Sequence, residues 1–257
     1  MKSPSNETRA DMNTLYITGA GVSSESGIPT FRGEDGFWTI GSKNYTPMEM
    51  ATRAMYENNP VEFLSWYYHR FATYRNHGPN DVHGWLNNKN LITQNIDGLD
   101  GKAGNENYIA IHGRLDQMTL FHHQGDEVDT MQTPWDDVDE SNLTESLLDI
   151  FQISKHSQTP VINQSYKPYV LLFDEFYTDL YRITEAKNRM MAAEKMVFIG
   201  TSFSVNITQM ALRAGINNRI PIEIVDPNPI ELPYSQVTYH KMKASDYINT
   251  IPYRTQS

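Results

Sequence analysis

The sequence predicts a doubly wound α/β fold, a parallel sheet covered by helices on both faces and carrying a small inserted lobe. Three observations predict it. Short apolar strands alternate with helical stretches along most of the 257 residues, a glycine turn follows the first strand, and an acidic segment interrupts the alternation.

Taken in order, the expected elements are a strand at 15–18, helices at 47–57 and 61–74, and strands at 91–93 and 108–111. A possible helix at 143–153 falls within the acidic segment. The alternation then resumes with a strand at 169–173, a helix at 179–194, a strand at 196–199, a helix at 205–214, a strand at 222–225 and a last helix at 244–251. Short, nearly continuous apolar strands of this kind belong to sheets buried on both faces. Residues 119–166 hold nine acidic side chains against Lys155 alone, with Gly125, Pro134 and Pro160 and little sustained periodicity. They read as an inserted lobe; an ordinary solvated loop is the competing description.

Composition narrows the chemistry. With no cysteine, disulfide frameworks, thiolate nucleophiles, iron–sulfur clusters and thiolate zinc sites are all excluded. A formal net charge of −10 argues against general affinity for nucleic-acid phosphates or anionic lipid. The longest apolar runs, 169–173 and 196–199, fall far below the roughly 18 residues a membrane span requires. Residues 1–12 are polar and lack the apolar core of a secretory signal, so they are read as a loose tail on a cytoplasmic protein. No feature specifies an oligomer, and a monomer is the default expectation.

The sharpest local signal is the run Leu15-Tyr-Ile-Thr-Gly-Ala-Gly-Val-Ser-Ser-Glu-Ser-Gly-Ile-Pro-Thr-Phe-Arg-Gly33, a strand entering a glycine turn. Gly19 and Gly21 would let the backbone approach a pyrophosphate, with the following turn aiming N–H groups at the anion. As a dinucleotide fingerprint it is imperfect, because Ser24 stands where a third glycine belongs. Asn95 and Asp97 follow one strand and His112 another. In an open α/β sheet such strand ends are where ligands gather. Taken singly, Asn and Asp there also fit Asx turns, and Gly200-Thr201-Ser202 also fits a turn and helix cap.

Five motifs in register change that balance. Gly19-Ala-Gly-Val-Ser-Ser-Glu-Ser-Gly-Ile-Pro-Thr-Phe-Arg32, Thr93-Gln-Asn-Ile-Asp97, His112-Gly113, Lys167-Pro-Tyr-Val-Leu-Leu-Phe-Asp-Glu175 and Gly200-Thr-Ser202 together resemble the sirtuin (Sir2) family over roughly residues 14–251. The resemblance implies a Rossmann-type domain from 13–112 and 168–257, with a helical insertion at about 45–88 and a small acidic lobe at 113–167. It implies NAD as co-substrate, held by Gly19, Ala20, Gly21, Ser23, Thr30, Gly200, Thr201, Ser202 and Asp226. Asn95 and Asp97 fall to the nicotinamide pocket and its ribose, with Gln94 beside that ribose. Phe31 and Arg32 resemble the pair that covers the nicotinamide and keeps water out.

The implied activity is NAD-dependent removal of an acyl group from a protein lysine, releasing nicotinamide and acyl-ADP-ribose. His112 would act as general base on a ribose hydroxyl, within reach of neutral pH for an imidazole. Val170, Leu171 and Phe173 resemble the edge strand that captures an extended acyl-lysine peptide. Asp174 departs from the family's glycine there and leaves the shape of the groove open. Asp226, where the family tends to show asparagine, favours NAD over its 2′-phosphate. A second departure is Asp100 in place of a usual histidine.

Thr30 and the pair Tyr67 and Arg70 resemble the branch of the family that removes succinyl, malonyl or glutaryl groups. Residues three apart share a helix face, so a phenol and a planar guanidinium can address one carboxylate. An amphipathic helix with an apolar face of Phe63, Tyr67, Phe71 and Tyr74 and a snorkelling Arg70 explains the same spacing. The family's two zinc-binding cysteine pairs are missing; His122 and His123 stand near the place of the first pair, but adjacent histidines do not easily bind one ion together and no second pair with ligand spacing follows, so a replacement metal site is the lesser alternative. The expected lobe is metal-free and lacks a zinc ribbon, packed on Phe121, Trp135, Leu147, Leu148 and Phe151. Transfer of ADP-ribose to protein, plain hydrolysis of NAD, or sensing without turnover are the alternative functions on the same pocket.

Overall fold

The computed structural model describes residues 13–30 and 45–251. The strands are β1 (Thr14–Thr18), β2 (Asn90–Thr93), β3 (Ile109–Ala110), β4 (Gly113–Leu120), β5 (Thr130–Gln132), β6 (Tyr166–Val170), β7 (Lys195–Ile199), β8 (Ile222–Val225) and β9 (Val237–His240). Six of them form one parallel sheet in the order β3-β2-β1-β7-β8-β9. Numbered by position in that sheet's chain order, this is 3-2-1-4-5-6, the arrangement of a dinucleotide-binding sheet, with its switch point between β1 and β7.

Side-chain alternation shows why helices cover both faces. Leu15 and Ile17 of β1 join Met196 and Phe198 of β7 in one apolar cluster, while Tyr16, Val197 and Ile199 belong to the cluster on the opposite face. Consecutive residues of a strand point to opposite faces, so a strand apolar at every position needs cover on both. Helices Ile183–Ala192 and Asn206–Asn217 supply one layer, and helices Asp81–Leu86 and Ala244–Thr250 the other.

The remaining strands form an antiparallel sheet, β5-β4-β6. It packs with helix Leu143–Ile150 and the long helix Pro60–Tyr74 around a third cluster, which contains Phe121, Trp135, Leu147, Leu148 and Phe151. Trp135 is the hub. Its Nε1 donates to the Leu115 carbonyl at 2.8 Å, its ring stacks on Phe71 at 5.6 Å, and it tilts against Phe151. Among the described residues no group of three or more histidine, aspartate or glutamate side chains is placed to hold a metal. His122 is buried, with Nδ1 2.6 Å from the Leu120 carbonyl and its own carbonyl accepting from Arg53 at 2.7 Å.

Several expected elements are corrected. The helix at 47–57 is two helices, Pro47–Met50 and Arg53–Asn58, because Thr52 turns into an extended conformation and caps the second through the Met55 N–H. Asp174 fixes the break, accepting from the backbone N–H groups of Arg53 at 2.6 Å and Ala54 at 3.1 Å. The helix at 179–194 divides at Arg182, whose left-handed backbone (φ 56°) separates a short 3-10 turn from helix Ile183–Ala192. The strand at 169–173 ends at Val170. Strands β4, β5 and β9 and helix Asp81–Leu86 carry no pattern that the sequence reading identified.

Candidate functional site

The C-terminal ends of β1, β2, β3, β7 and β8 open on one cleft. Two chambers make it up, of about 390 Å³ and about 620 Å³. They share Ala20, Gln94, Asn95, His112, Ser204 and Val205, so the imidazole and the Asn95 amide stand at the junction.

The polar groups at this junction are mutually fixed. Thr18 Oγ1 donates to Thr93 Oγ1 at 2.8 Å, and the Asn95 N–H reaches that same Thr93 oxygen at 3.2 Å. Asn95 Nδ2 donates to the Gly19 carbonyl and to Ser23 Oγ, each at 3.1 Å. Ser23 Oγ in turn donates to Asp97 Oδ2 at 2.6 Å, and Asp97 Oδ1 accepts from the Leu99 N–H at 2.9 Å. Gln94 Nε2 donates to the Thr18 carbonyl at 3.0 Å and to Thr201 Oγ1 at 3.2 Å. Networks of this kind hold side chains in place before a ligand arrives.

His112 has both ring nitrogens engaged. Nδ1 lies 2.9 Å from the Gln94 carbonyl and Nε2 lies 2.9 Å from the Tyr177 hydroxyl. Burial drives its pKa down to about 4, opposed by the Gln94 carbonyl, so the ring is neutral near pH 7. Gly113 follows with φ 80°, and a Cβ there would lie 2.0 Å from the Tyr169 carbonyl oxygen, which leaves glycine as the only residue that fits.

The glycine turn has a structural role beside the one expected of it. Gly21 donates its N–H to the Gly200 carbonyl at 3.0 Å, and Gly19 donates to the Ile199 carbonyl at 3.1 Å. These two N–H groups are spent on joining β1 to β7. Gly19, Gly21 and Gly200 are small because two backbones cross there, and all three line the larger chamber.

That larger chamber also takes in Thr30, Thr201, Ser202, Asp226 and Lys243. With Glu25 beside them, hydroxyls, two carboxylates and one ammonium line this space, groups that ribose hydroxyls and a diphosphate require, so the residues present fit NAD. Phe31 and Arg32 lie outside the described residues.

The smaller chamber holds Asp97, Tyr67, Arg70, Val170, Leu171 and Phe173. Arg70 is only 4% exposed, which rules out the snorkelling arrangement. Its guanidinium carbon lies 3.3 Å from the Trp66 ring centroid, and Nη1 donates to the Trp66 carbonyl at 3.0 Å. Burial lowers its pKa to about 9, still charged at neutral pH, and burial pushes the Tyr67 phenol above the usual range.

At the groove, the N–H groups of Leu171, Leu172 and Phe173 already donate to the His112 carbonyl, Glu175 Oε2 and the Ala51 carbonyl. Behind the groove Lys167 is fully buried, its Nζ donating to the Val170 carbonyl at 3.0 Å and to Glu175 at 3.2 Å, while Arg53 holds the other Glu175 oxygen at 3.3 Å. Tyr177, Ser204 and Lys243 are cleft residues that the sequence reading missed. None sits in a motif, and Tyr177 meets His112 across 65 positions of sequence.

The sheet order and the polar cleft at its switch point define a dinucleotide-binding α/β protein. Residues 19–207 match the Sir2 family, and the chain belongs to it. It is 31% identical over 239 residues to NAD-dependent protein deacylase 1 of Caldanaerobacter subterraneus subsp. tengcongensis, an alignment covering 87% of this chain and 85% of that protein. Among solved structures, a Sir2 homologue mutant in complex with ADP-ribose superposes with a TM-score of 0.69 at 25% identity, covering 96% of this chain and 94% of that one. A Sir2 homologue–NAD complex gives 0.67, also at 25% identity, over 96% and 93%.

Proposed function

We propose that this Sir2-family NAD-dependent protein deacylase acts on lysines whose acyl group ends in a carboxylate. The observation that carries the reading is the pairing of the two chambers at His112, with Arg70 and Tyr67 buried in the smaller one. Bound NAD supplies an activated ribose from which nicotinamide can leave. Gly200, Thr201, Ser202 and Asp226 hold the nucleotide half, and Asn95, Asp97 and Ser23 form the polar wall of the nicotinamide side. Neutral His112, held by the Gln94 carbonyl, presents Nε2 to take a proton from a ribose hydroxyl. Arg70 offers a charged planar donor to the distal carboxylate of the acyl chain, and the aromatic wall of Tyr67 and Phe71 packs its methylenes.

The test incubates the protein with NAD and matched acetyl-lysine and succinyl-lysine peptides and identifies products by mass. Succinyl-ADP-ribose formed in preference to acetyl-ADP-ribose is the expected result. Modified protein would mark ADP-ribosyl transfer, ADP-ribose formed without peptide would mark hydrolysis, and either alone would overturn the reading.

A further inference from the structure

His112 is the group the deacylase reaction relies on, yet the atom it would use is already taken. The Gln94 carbonyl can only accept, so Nδ1 of the neutral ring carries the proton and Nε2 presents a bare lone pair. The Tyr177 hydroxyl, 2.9 Å away, is therefore the donor to Nε2. The rings are tilted by 32° with centroids 5.9 Å apart, so the contact is made through the hydroxyl and not by stacking.

An imidazole nitrogen has one in-plane lone pair and accepts one good hydrogen bond. A ribose hydroxyl that gives its proton to His112 needs that same lone pair. We infer that Tyr177 is a positioning residue whose hydroxyl stands in for the ribose hydroxyl on His112 Nε2, and that the nucleotide must displace it before His112 can act. The inference rests on the deacylase reading for the role of His112. It adds a competitor built into the chain, which keeps water off the base in the free protein at some expense in nucleotide affinity. Of the titratable groups described around the ring, Tyr177 is in contact with it, while Asp97 lines the same chamber and is engaged by Ser23 and Leu99.

The experiment compares the wild type with Tyr177→Phe, which removes one oxygen and keeps the ring. Two probes are titrated calorimetrically: ADP-ribose, which carries the distal ribose, and ADP, which lacks it. Tyr177→Phe is expected to bind ADP-ribose roughly three- to tenfold tighter, the factor one net hydrogen bond carries, with ADP unchanged. In the wild type, the 15N resonance of His112 Nε2 is expected to move on adding ADP-ribose and not on adding ADP, a readout that needs no variant. Unchanged or weaker ADP-ribose binding by Tyr177→Phe, an equal gain for ADP, or a His112 resonance indifferent to ADP-ribose would each overturn the inference. Acyl-ADP-ribose formation by the wild type, measured separately, reports on the deacylase reading alone.

Discussion

Gly21 and Gly200 cross so closely that a Cβ built on Gly21 would lie 2.6 Å from the Gly200 Cα, and one built on Gly200 would lie 2.7 Å from the Gly21 Cα. The crossing ties the end of β1 to the end of β7 at the switch point of the sheet. Gly200 also has φ 61°, a left-handed backbone that a Cβ strains. Replacing Gly200 by Ala is expected to cost more than about 2 kcal/mol, since neither backbone can move away without unpairing a strand. Chemical denaturation measures the loss, and ADP-ribose titration of the folded fraction should show weakened binding as well.

Arg70→Met should separate substrates. The substitution keeps most of the buried volume against Trp66 and removes the charge. Succinyl-lysine turnover, read as kcat/KM, is expected to fall about 10- to 100-fold, the worth of charge-assisted hydrogen bonds, while acetyl-lysine turnover changes little. Equal losses on both peptides would remove the carboxylate role.

The low pKa of His112 sets the acid side of the pH profile. A ring that protonates only near pH 4 stays neutral well below the ordinary histidine range, so the acid limb of kcat/KM for NAD is expected below pH 6. Stability responds to the same shift: the unfolded ring binds its proton near 6.5 and the folded ring only near 4. The protein is therefore expected to lose stability from this group as pH falls from 6.5 toward 4. His112→Gln should flatten that part of the stability curve.

Asp100 acts in the opposite direction. It is buried, and burial first, then the neighbouring Asp97, pushes its carboxyl up to about 7. Folding therefore favours the protonated acid, and its contribution is lost as pH rises from the ordinary carboxylate range through 7. Asp100→Asn, which mimics the neutral form, is expected to stabilise the protein on the order of 2–4 kcal/mol at pH 8 and to do little at pH 4. Thermal melts of both proteins at the two pH values check it.

Much of the cleft was legible in the sequence because its polar residues sit directly after apolar strands. Asn95, His112, Thr201 and Asp226 all follow runs that declare themselves as strands, and the parallel order places those ends together. The antiparallel sheet was not legible. Gly-Arg-Leu-Asp-Gln-Met-Thr-Leu in β4 mixes buried and half-buried positions without clean alternation, and its pairing with β6 slips between Gly113 and Met118. Breaks within helices escaped for another reason, since Asp174 interrupts the segment at 47–57 from more than a hundred residues away. The Tyr177 contact with His112 escaped similarly, as no local pattern encodes which hydroxyl a folded loop delivers. The glycine turn was recognised, but the backbone crossing it also serves was not, because backbone crossing and ligand approach demand the same residue.

Helix Pro60–Tyr74 serves two masters. Tyr67 and Arg70 line the smaller chamber of the cleft, while Tyr68 and Phe71, one residue along from each, pack against Trp135 at the centre of the small lobe. A changed side chain beneath Trp135 is therefore expected to be felt at Tyr67 and Arg70 through this one helix.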